Sequence, residues 1–330
     1  MIVCLKGGLG NQMFQYAFAK ALAHFHKTEV VLDASFYNNP KNTHLQEDSR
    51  IYANATQPTI RNLEITHFNL SLPIDITFNQ KAFFKSHDKL MPLYRIYKNL
   101  LPRAYRRHNY RYHYAESQTI QEHFSTLHFP KYAYFDGYFQ NLSYFSGISH
   151  IIQQEFTLKT PLSQSNQALK KQIESTPNAT FVHIRRGDFL ASANSDFIKL
   201  DKGYYERAFC HLKAIYPQAY LYIFSNDIPW CKEHFSQHNK TESSISTQGL
   251  EFSFVENNDE AVAVQEMELM RACQNGIIAN STFSWWAAYL MKNPSKIIIS
   301  PSHFFINTPP FHSTSLILPK EWIAINTNKE

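Results

Sequence analysis

The chain of 330 residues reads as an α/β protein made of two Rossmann-like domains facing a central cleft. Two observations predict this. The opening runs strand, glycine turn, helix, strand, which is a βαβ unit. The second half alternates short apolar runs with helical patterns, as in a parallel sheet covered on both faces. The polar stretch Leu158 to Ser165 combines Pro161 with hydroxyl residues and marks the boundary, giving domains of residues 1–158 and 159–330.

The first strand is Ile2 to Leu5. Gly7, Gly8 and Gly10 follow, a third of the nine glycines in the chain, so backbone is expected to come close to a phosphate or a sugar there. The helix from Asn11 to Phe25 carries Phe14, Phe18, Leu22 and Phe25 near helical spacing, and Val30 to Asp33 is the next strand. Residues 35–62 read as loops, and 66–130 show no clear period. Tyr132 to Tyr138 reads as a strand. In the second half, strands near Thr180–Ile184, Tyr220–Phe224, Phe252–Val255, Gly276–Ala279 and Lys296–Ile299 are separated by helices at Tyr204–Tyr216, Asp259–Cys273 and Thr282–Lys292. The polar segment Ser236 to Gly249 is expected to be a mobile surface loop.

A composition of 44% hydrophobic and 18% charged residues excludes a disordered chain. The net charge of +5 favours anionic partners. Its densest form, Arg103 to Tyr114, interleaves cations with tyrosines; a solvated helix face and a docking surface for an anionic or lipid-linked acceptor both fit it, and nucleic acid is not expected. Cys4, Cys210, Cys231 and Cys273 form no Cys-x-x-Cys pair and are expected to be buried thiols. No aspartates are spaced Asp-x-Asp, and His24 and His26 fall on different helix faces, so neither a metal site nor a cofactor is expected. No signal peptide and no window of about 18 apolar residues is visible.

Three motifs carry chemistry: Gly-Gly-Leu-Gly-Asn-Gln-Met-Phe-Gln from Gly7, His-Ile-Arg-Arg-Gly-Asp from His183, and Asn-Ser-Thr-Phe-Ser-Trp-Trp-Ala-Ala-Tyr-Leu from Asn280. In this order and spacing the chain resembles the alpha-1,2-fucosyltransferases of glycosyltransferase family 11, over essentially its whole length. The resemblance implies a GT-B-like architecture and an inverting transfer of L-fucose from a GDP-fucose donor to the 2-hydroxyl of a galactose-terminated glycan acceptor. Surface glycan or lipopolysaccharide synthesis would be its setting. Animal members of that family are membrane-anchored; without a visible anchor this chain is expected to be a bacterial-type cytoplasmic enzyme, with peripheral contact at the inner membrane left open.

The resemblance assigns the pyrophosphate contact to Arg185, and a bidentate guanidinium suits a departing diphosphate. Alternation along a strand turns only one of Arg185 and Arg186 to the cleft, with His183 on the same face as Arg185. His183 is then either a donor contact or a packed residue. Asp188 is the candidate general base; orienting Arg185 is its alternative, and Asp196 and Asp201 are further candidates. Gly8, Gly10, Asn11 and Gln12 would hold donor phosphates or acceptor hydroxyls at a helix N-terminus, and Ser281, Thr282 and Ser284 would meet a phosphate at another. The tryptophans read as packing. In the resembled family an acidic residue seven positions before Cys273 reads guanine; that position is Glu266, with Glu268 as competitor. Ser225-Asn226-Asp227 closes a strand as a cleft loop of undefined role.

Two other readings compete. Gly8-Leu9-Gly10 followed by Asp33 imitates a nicotinamide dinucleotide fingerprint, although its third glycine would fall at Met13. A non-catalytic glycan-binding protein would not need Arg185 and Asp188 together.

Overall fold

Short apolar runs that end in glycine or polar residues close into two parallel sheets. The computed structural model describes residues 1–38, 62–88, 113–186, 198–236, 244–256, 263–305 and 313–327. The first sheet holds β1 (Ile2–Cys4), β2 (Val31–Asp33), β3 (Ile74–Asp75), β4 (His113–Ala115) and β5 (Tyr134–Asp136) in the order β3-β2-β1-β5-β4. The second holds β6 (Ala179–Ile184), β7 (Tyr220–Ser225), β10 (Glu251–Phe254), β11 (Asn275–Ile277), β12 (Ile298–Pro301) and β13 (Ile323–Ile325) in the order β10-β7-β6-β11-β12-β13, with β8 (Phe235–Ser236) and β9 (Ile245–Ser246) paired beside it. All these pairs are parallel. This is the α/β, two-sheet, GT-B-like organisation expected from the sequence.

The helices are α1 (Leu9–His26), α2 (Gln80–Asp88), α3 (Gln118–His123), α4 (Ser149–Glu155), α5 (Gln164–Ser175), α6 (Lys202–Ile215), α7 (Ile228–His234), α8 (Ala263–Ala272) and α9 (Thr282–Tyr289) among the described residues. Parallel pairing forces each strand to return through a crossover, so loops and helix N-termini gather at the carboxyl edge of each sheet. The two faces of β6 are covered by different layers. Val182 and Ile184 pack with Tyr204, Tyr205 and Phe209 of α6, whereas Phe181 belongs to the cluster containing Met267, Trp285 and Trp286.

That second cluster crosses between the halves. Val3, Phe14 and Phe135 of the first sheet's layer share it with Phe181, Met270 and Trp286 of the second. Its centre is the crossing of α1 and α9. Phe14 lies 4.7 Å from the Trp285 ring and 4.9 Å from the Trp286 ring, and both tryptophans are fully buried. Trp286 donates its indole N–H to the Gly10 carbonyl at 3.1 Å, and Trp285 donates to the Ile317 carbonyl at 2.8 Å. The tryptophans therefore pack, as expected.

Of the polar segment 236–249, residues 237–243 lie outside the described residues, and the described ends depart from expectation. Ser244, Ile245, Ser246 and Thr247 are buried, β9 pairs with β8, and the Ser246 N–H donates to Glu206 at 3.0 Å. Hydroxyl side chains here satisfy buried backbone instead of facing water. Cys210 also departs: it is exposed, while the other three cysteines are buried. β3, β4 and β13 are too short to show a period in the sequence.

A Cβ built on Gly10 would lie 2.5 Å from the Thr282 carbonyl carbon and 2.6 Å from the Phe283 nitrogen. Those are backbone atoms and cannot rotate aside. Gly10→Ala is therefore expected to lose about 1–3 kcal/mol of stability through overpacking. Urea unfolding checks it; unchanged stability would mean that α1 and α9 do not approach this closely.

Candidate active site

The first loop is built around one obligatory glycine. Gly7 sits at φ +79, and its carbonyl accepts from Gln12 Nε2 at 3.0 Å and from the Tyr37 hydroxyl at 2.7 Å. Gln12 also donates to the Asn62 carbonyl at 2.8 Å, and its Oε1 accepts from the Glu64 and Ile65 N–H groups at 3.0 Å each. Both amide protons and both lone pairs are used, and the residue is fully buried. The expectation that Gln12 holds substrate is thus corrected: it locks the loop.

Gly10 is corrected likewise, since its close approach is to α9 and not to a ligand. Gly8 is the N-cap of α1 and accepts from the Asn11 and Gln12 N–H groups at 3.0 Å each. Asn11 Oδ1 accepts from Gln140 Nε2 at 3.0 Å and from Thr282 Oγ1 at 3.1 Å. The first and last motifs therefore meet side chain to side chain.

At the other helix, the three hydroxyls divide. Thr282 is spent on Asn11. Ser284 is fully buried and donates back to the Ser281 carbonyl at 3.3 Å, so its expected donor contact is corrected. Ser281, the half-buried N-cap residue of α9, makes no side-chain cap bond.

The middle motif stands at the carboxyl edge of β6. Arg186 turns to α7: its N–H donates to Asn226 Oδ1 at 3.0 Å, its Nε donates to Asp227 Oδ2 at 3.1 Å, and its guanidinium lies 3.7 Å over the Trp230 ring. This gives Ser225-Asn226-Asp227 its role, with Asp227 also accepting from the Trp230 N–H at 3.2 Å. Arg185, half-buried, joins Arg186, Lys199, Lys202, Trp230 and Asn280 around a cavity of about 220 Å³. Four cations in the lining, of which Arg186 is paired with Asp227, suit an anion. Asp201, also at the rim, N-caps α6 by accepting from the Tyr204 N–H at 3.0 Å. Asp188 and Asp196 lie outside the described residues.

His183 is buried beside Arg185, and burial first, then that neighbouring charge, push its imidazole down to about 3. It is neutral at physiological pH. Its Nδ1 is buried without a hydrogen-bond partner, and its ring packs 5.8 Å from Phe283 of the last motif. Asn280, buried, donates to the Ile198 carbonyl at 2.7 Å and the Phe304 carbonyl at 3.0 Å, fixing the strand end next to the cavity.

Glu266 stands half-buried in the first turn of α8. Glu268 is committed elsewhere: it pairs with Arg271, which also donates to the Phe156 carbonyl at 2.9 Å. The sequence signal was present, an acid and a base at helical spacing. Asp33 is not a ribose reader. It is fully buried and accepts from the Tyr134 hydroxyl at 2.7 Å, from Gln80 at 2.8 Å and from the Ser35 N–H at 2.9 Å. The dinucleotide reading loses its acidic residue. Sequence reasoning passed over Glu116, Gln140, Lys199, Lys202 and Trp230, which carry no motif.

The family model for glycosyl transferase family 11 matches residues 1–326, and the chain belongs to that family. It is a glycosyltransferase. Among similar proteins, the O-antigen biosynthesis glycosyltransferase WbnK of Escherichia coli is 28% identical over 98% of this chain and 100% of its own length. An alpha-1,2-colitosyltransferase of Escherichia coli is 28% identical over 98% of both. The mouse galactoside alpha-(1,2)-fucosyltransferase 2 is 26% identical over 72% of this chain and 67% of its own. Among solved structures, NodZ alpha-1,6-fucosyltransferase soaked with GDP-fucose is similar at 16% identity, covering 90% of this chain and 94% of that one, with a TM-score of 0.45.

The Glu268 side chain is 15% exposed and that of Arg271 8%, so breaking the pair leaves a buried charge. Glu268→Gln is expected to cost about 3 kcal/mol of stability. Chemical denaturation checks this; a variant of unchanged stability that loses nucleotide binding would return Glu268 to the nucleotide site.

Proposed function

We propose that the chain transfers L-fucose, with inversion, from GDP-fucose to the 2-hydroxyl of a terminal galactoside during surface glycan or lipopolysaccharide synthesis. Family membership and the relatives' named activities support this reading. The observation that carries it is the cationic cavity at the carboxyl edge of β6, lined by Arg185, Lys199 and Lys202. As the anomeric carbon leaves the β-phosphate, negative charge grows on the phosphate oxygens. Arg185 stabilises that charge, together with the N-terminal dipole of α9 and the Ser281 hydroxyl. Glu266 accepts the two neighbouring guanine donors, Asp188 takes the acceptor proton, and His183, within β6, packs its ring against Phe283 of the last motif.

In this reading residues 1–158 form the acceptor side and residues 159–330 hold the donor. No metal ion takes part, because the chain lacks an Asp-x-Asp pair and guanidinium can do the cation's work. The enzyme acts in the cytoplasm, with the basic, tyrosine-rich run 103–114 touching the inner membrane; residues 103–112 of it lie outside the described residues. No helix of the described residues is long and apolar enough to cross a membrane. A colitose donor is the second reading, favoured by the colitosyltransferase similar to this chain over 98% of its length. Colitose is fucose without its 3-hydroxyl, so competition between the two GDP-sugars separates them.

GDP release from GDP-fucose should require lactose and persist in EDTA. Release that is lost on chelation and restored by manganese would overturn the metal-free reading. No lactose-dependent release from either donor would overturn the transfer itself. Arg185→Ala should lower turnover by roughly 100-fold, the scale of one strong transition-state donor, whereas a normal rate would place the phosphate elsewhere.

A further inference from the structure

The carboxyl edge of the first sheet holds a charged group that no motif announces. Glu116 follows β4, and its Oε2 accepts from the Tyr138 N–H at 2.9 Å. The backbone N–H groups of Phe139 and Gln140 also favour its charged form. Gly137 makes room: a Cβ there would lie 2.6 Å from Glu116 Cβ and 3.0 Å from Oε2. Phe139 adopts φ +51, a costly conformation for a bulky residue, and stacks on Phe18 at 3.8 Å. The next residue, Gln140, donates to Asn11 Oδ1, which Thr282 also reaches. With its oxygen taken, the Asn11 amide nitrogen lies over Gly7, 2.8 Å from where a Cβ would sit.

We propose that Glu116 is a positioning residue for glycosyl transfer: its ionised carboxylate holds the 137–140 turn, and through Gln140 it sets Asn11 and the first loop toward the acceptor. Protonation weakens the N–H bonds that hold the turn, although it relieves the larger cost of burying the charge. Burial, opposed by these N–H groups and by Lys6, pushes the Glu116 carboxyl up to about 7. His113 also belongs to this cluster, 3.6 Å from Asp136, and a His113→Gln variant must keep the acid limb if Glu116 is its source. Asp136 is held down at about 2 by His113 and Lys6, Lys6 pairs with Asp136 at 2.9 Å, and burial and the Glu116 charge push the Tyr144 hydroxyl upward. The inference rests on glycosyl transfer but not on which sugar moves.

The test is the pH profile of kcat/KM for lactose, using GDP-fucose and GDP-colitose. In the wild type it should fall about tenfold per pH unit below about 7. Glu116→Gln should lose that limb and show a raised acceptor KM with GDP affinity kept, and adding Gln140→Ala should make it no worse. An unchanged limb in Glu116→Gln, or additive losses in the double variant, overturns the proposal, whereas wild-type inactivity with both donors would fault the functional reading instead. A stability readout goes with it. The folded-state value is raised, so the native protein binds more protons and the Glu116 contribution falls as pH rises from the ordinary glutamate range through about 7. Glu116→Gln should remove that slope from the melting temperature, and retention of it counts against the proposal. Should Glu116→Gln fail to fold, Gln140→Ala decides alone: the acid limb must disappear, and its persistence overturns the coupling through Asn11.

Discussion

Everything at this site depends on two helix N-termini being allowed to touch. Gly10 lacks the Cβ that would collide with the Thr282 and Phe283 backbone, so α1 and α9 cross at close range. The crossing is then sealed from both sides. Phe14, Trp285 and Trp286 fill its apolar interior, while Trp286 to Gly10 and Thr282 to Asn11 satisfy polar groups that burial would otherwise leave without partners. A polar seam between two sheets this far apart in sequence is fixed by geometry first, and only then by hydrophobic area.

The parallel topology does the rest. Because β6 lies between β7 and β11, the segments after all three strands open at one edge. Arg186 is absorbed there by Asn226, Asp227 and Trp230, on the α7 side. The expected division of the two arginines by strand alternation does not hold, because β6 ends at Ile184 and both Arg185 and Arg186 line the cavity. The two cations of one motif still differ in their partners: Arg186 is tied to Asn226, Asp227 and Trp230 while it lines the cavity, and Arg185 lines it beside Lys199 and Lys202. Aggregating positive charge costs little at the rim and increases the attraction for a diphosphate.

Much of this was legible in the sequence, for identifiable reasons. α1, α6 and α9, and the central strands β6 and β7, have enough length for their periodicity to show, and the three motifs sit at strand ends where ligands bind in open α/β sheets. What failed was the assignment of polar residues to ligand or to fold. Gln12 looked like a ligand residue because it sits in a glycine loop, yet its partners are backbone groups of residues 62–65 that no local pattern reveals. Gly10 was read as room for substrate, whereas it makes room for α9. Glu116 was invisible because its partners are backbone N–H groups, which every residue except proline carries.

The first and last motifs form one mechanical joint through Asn11 and Thr282. A double-mutant cycle of Asn11→Ala and Thr282→Val, read as unfolding free energy, tests it most directly. The contact at 3.1 Å predicts a coupling of about 0.5–3 kcal/mol between the two positions. Strict additivity would contradict it, and the two halves would then have to be aligned by something other than this joint.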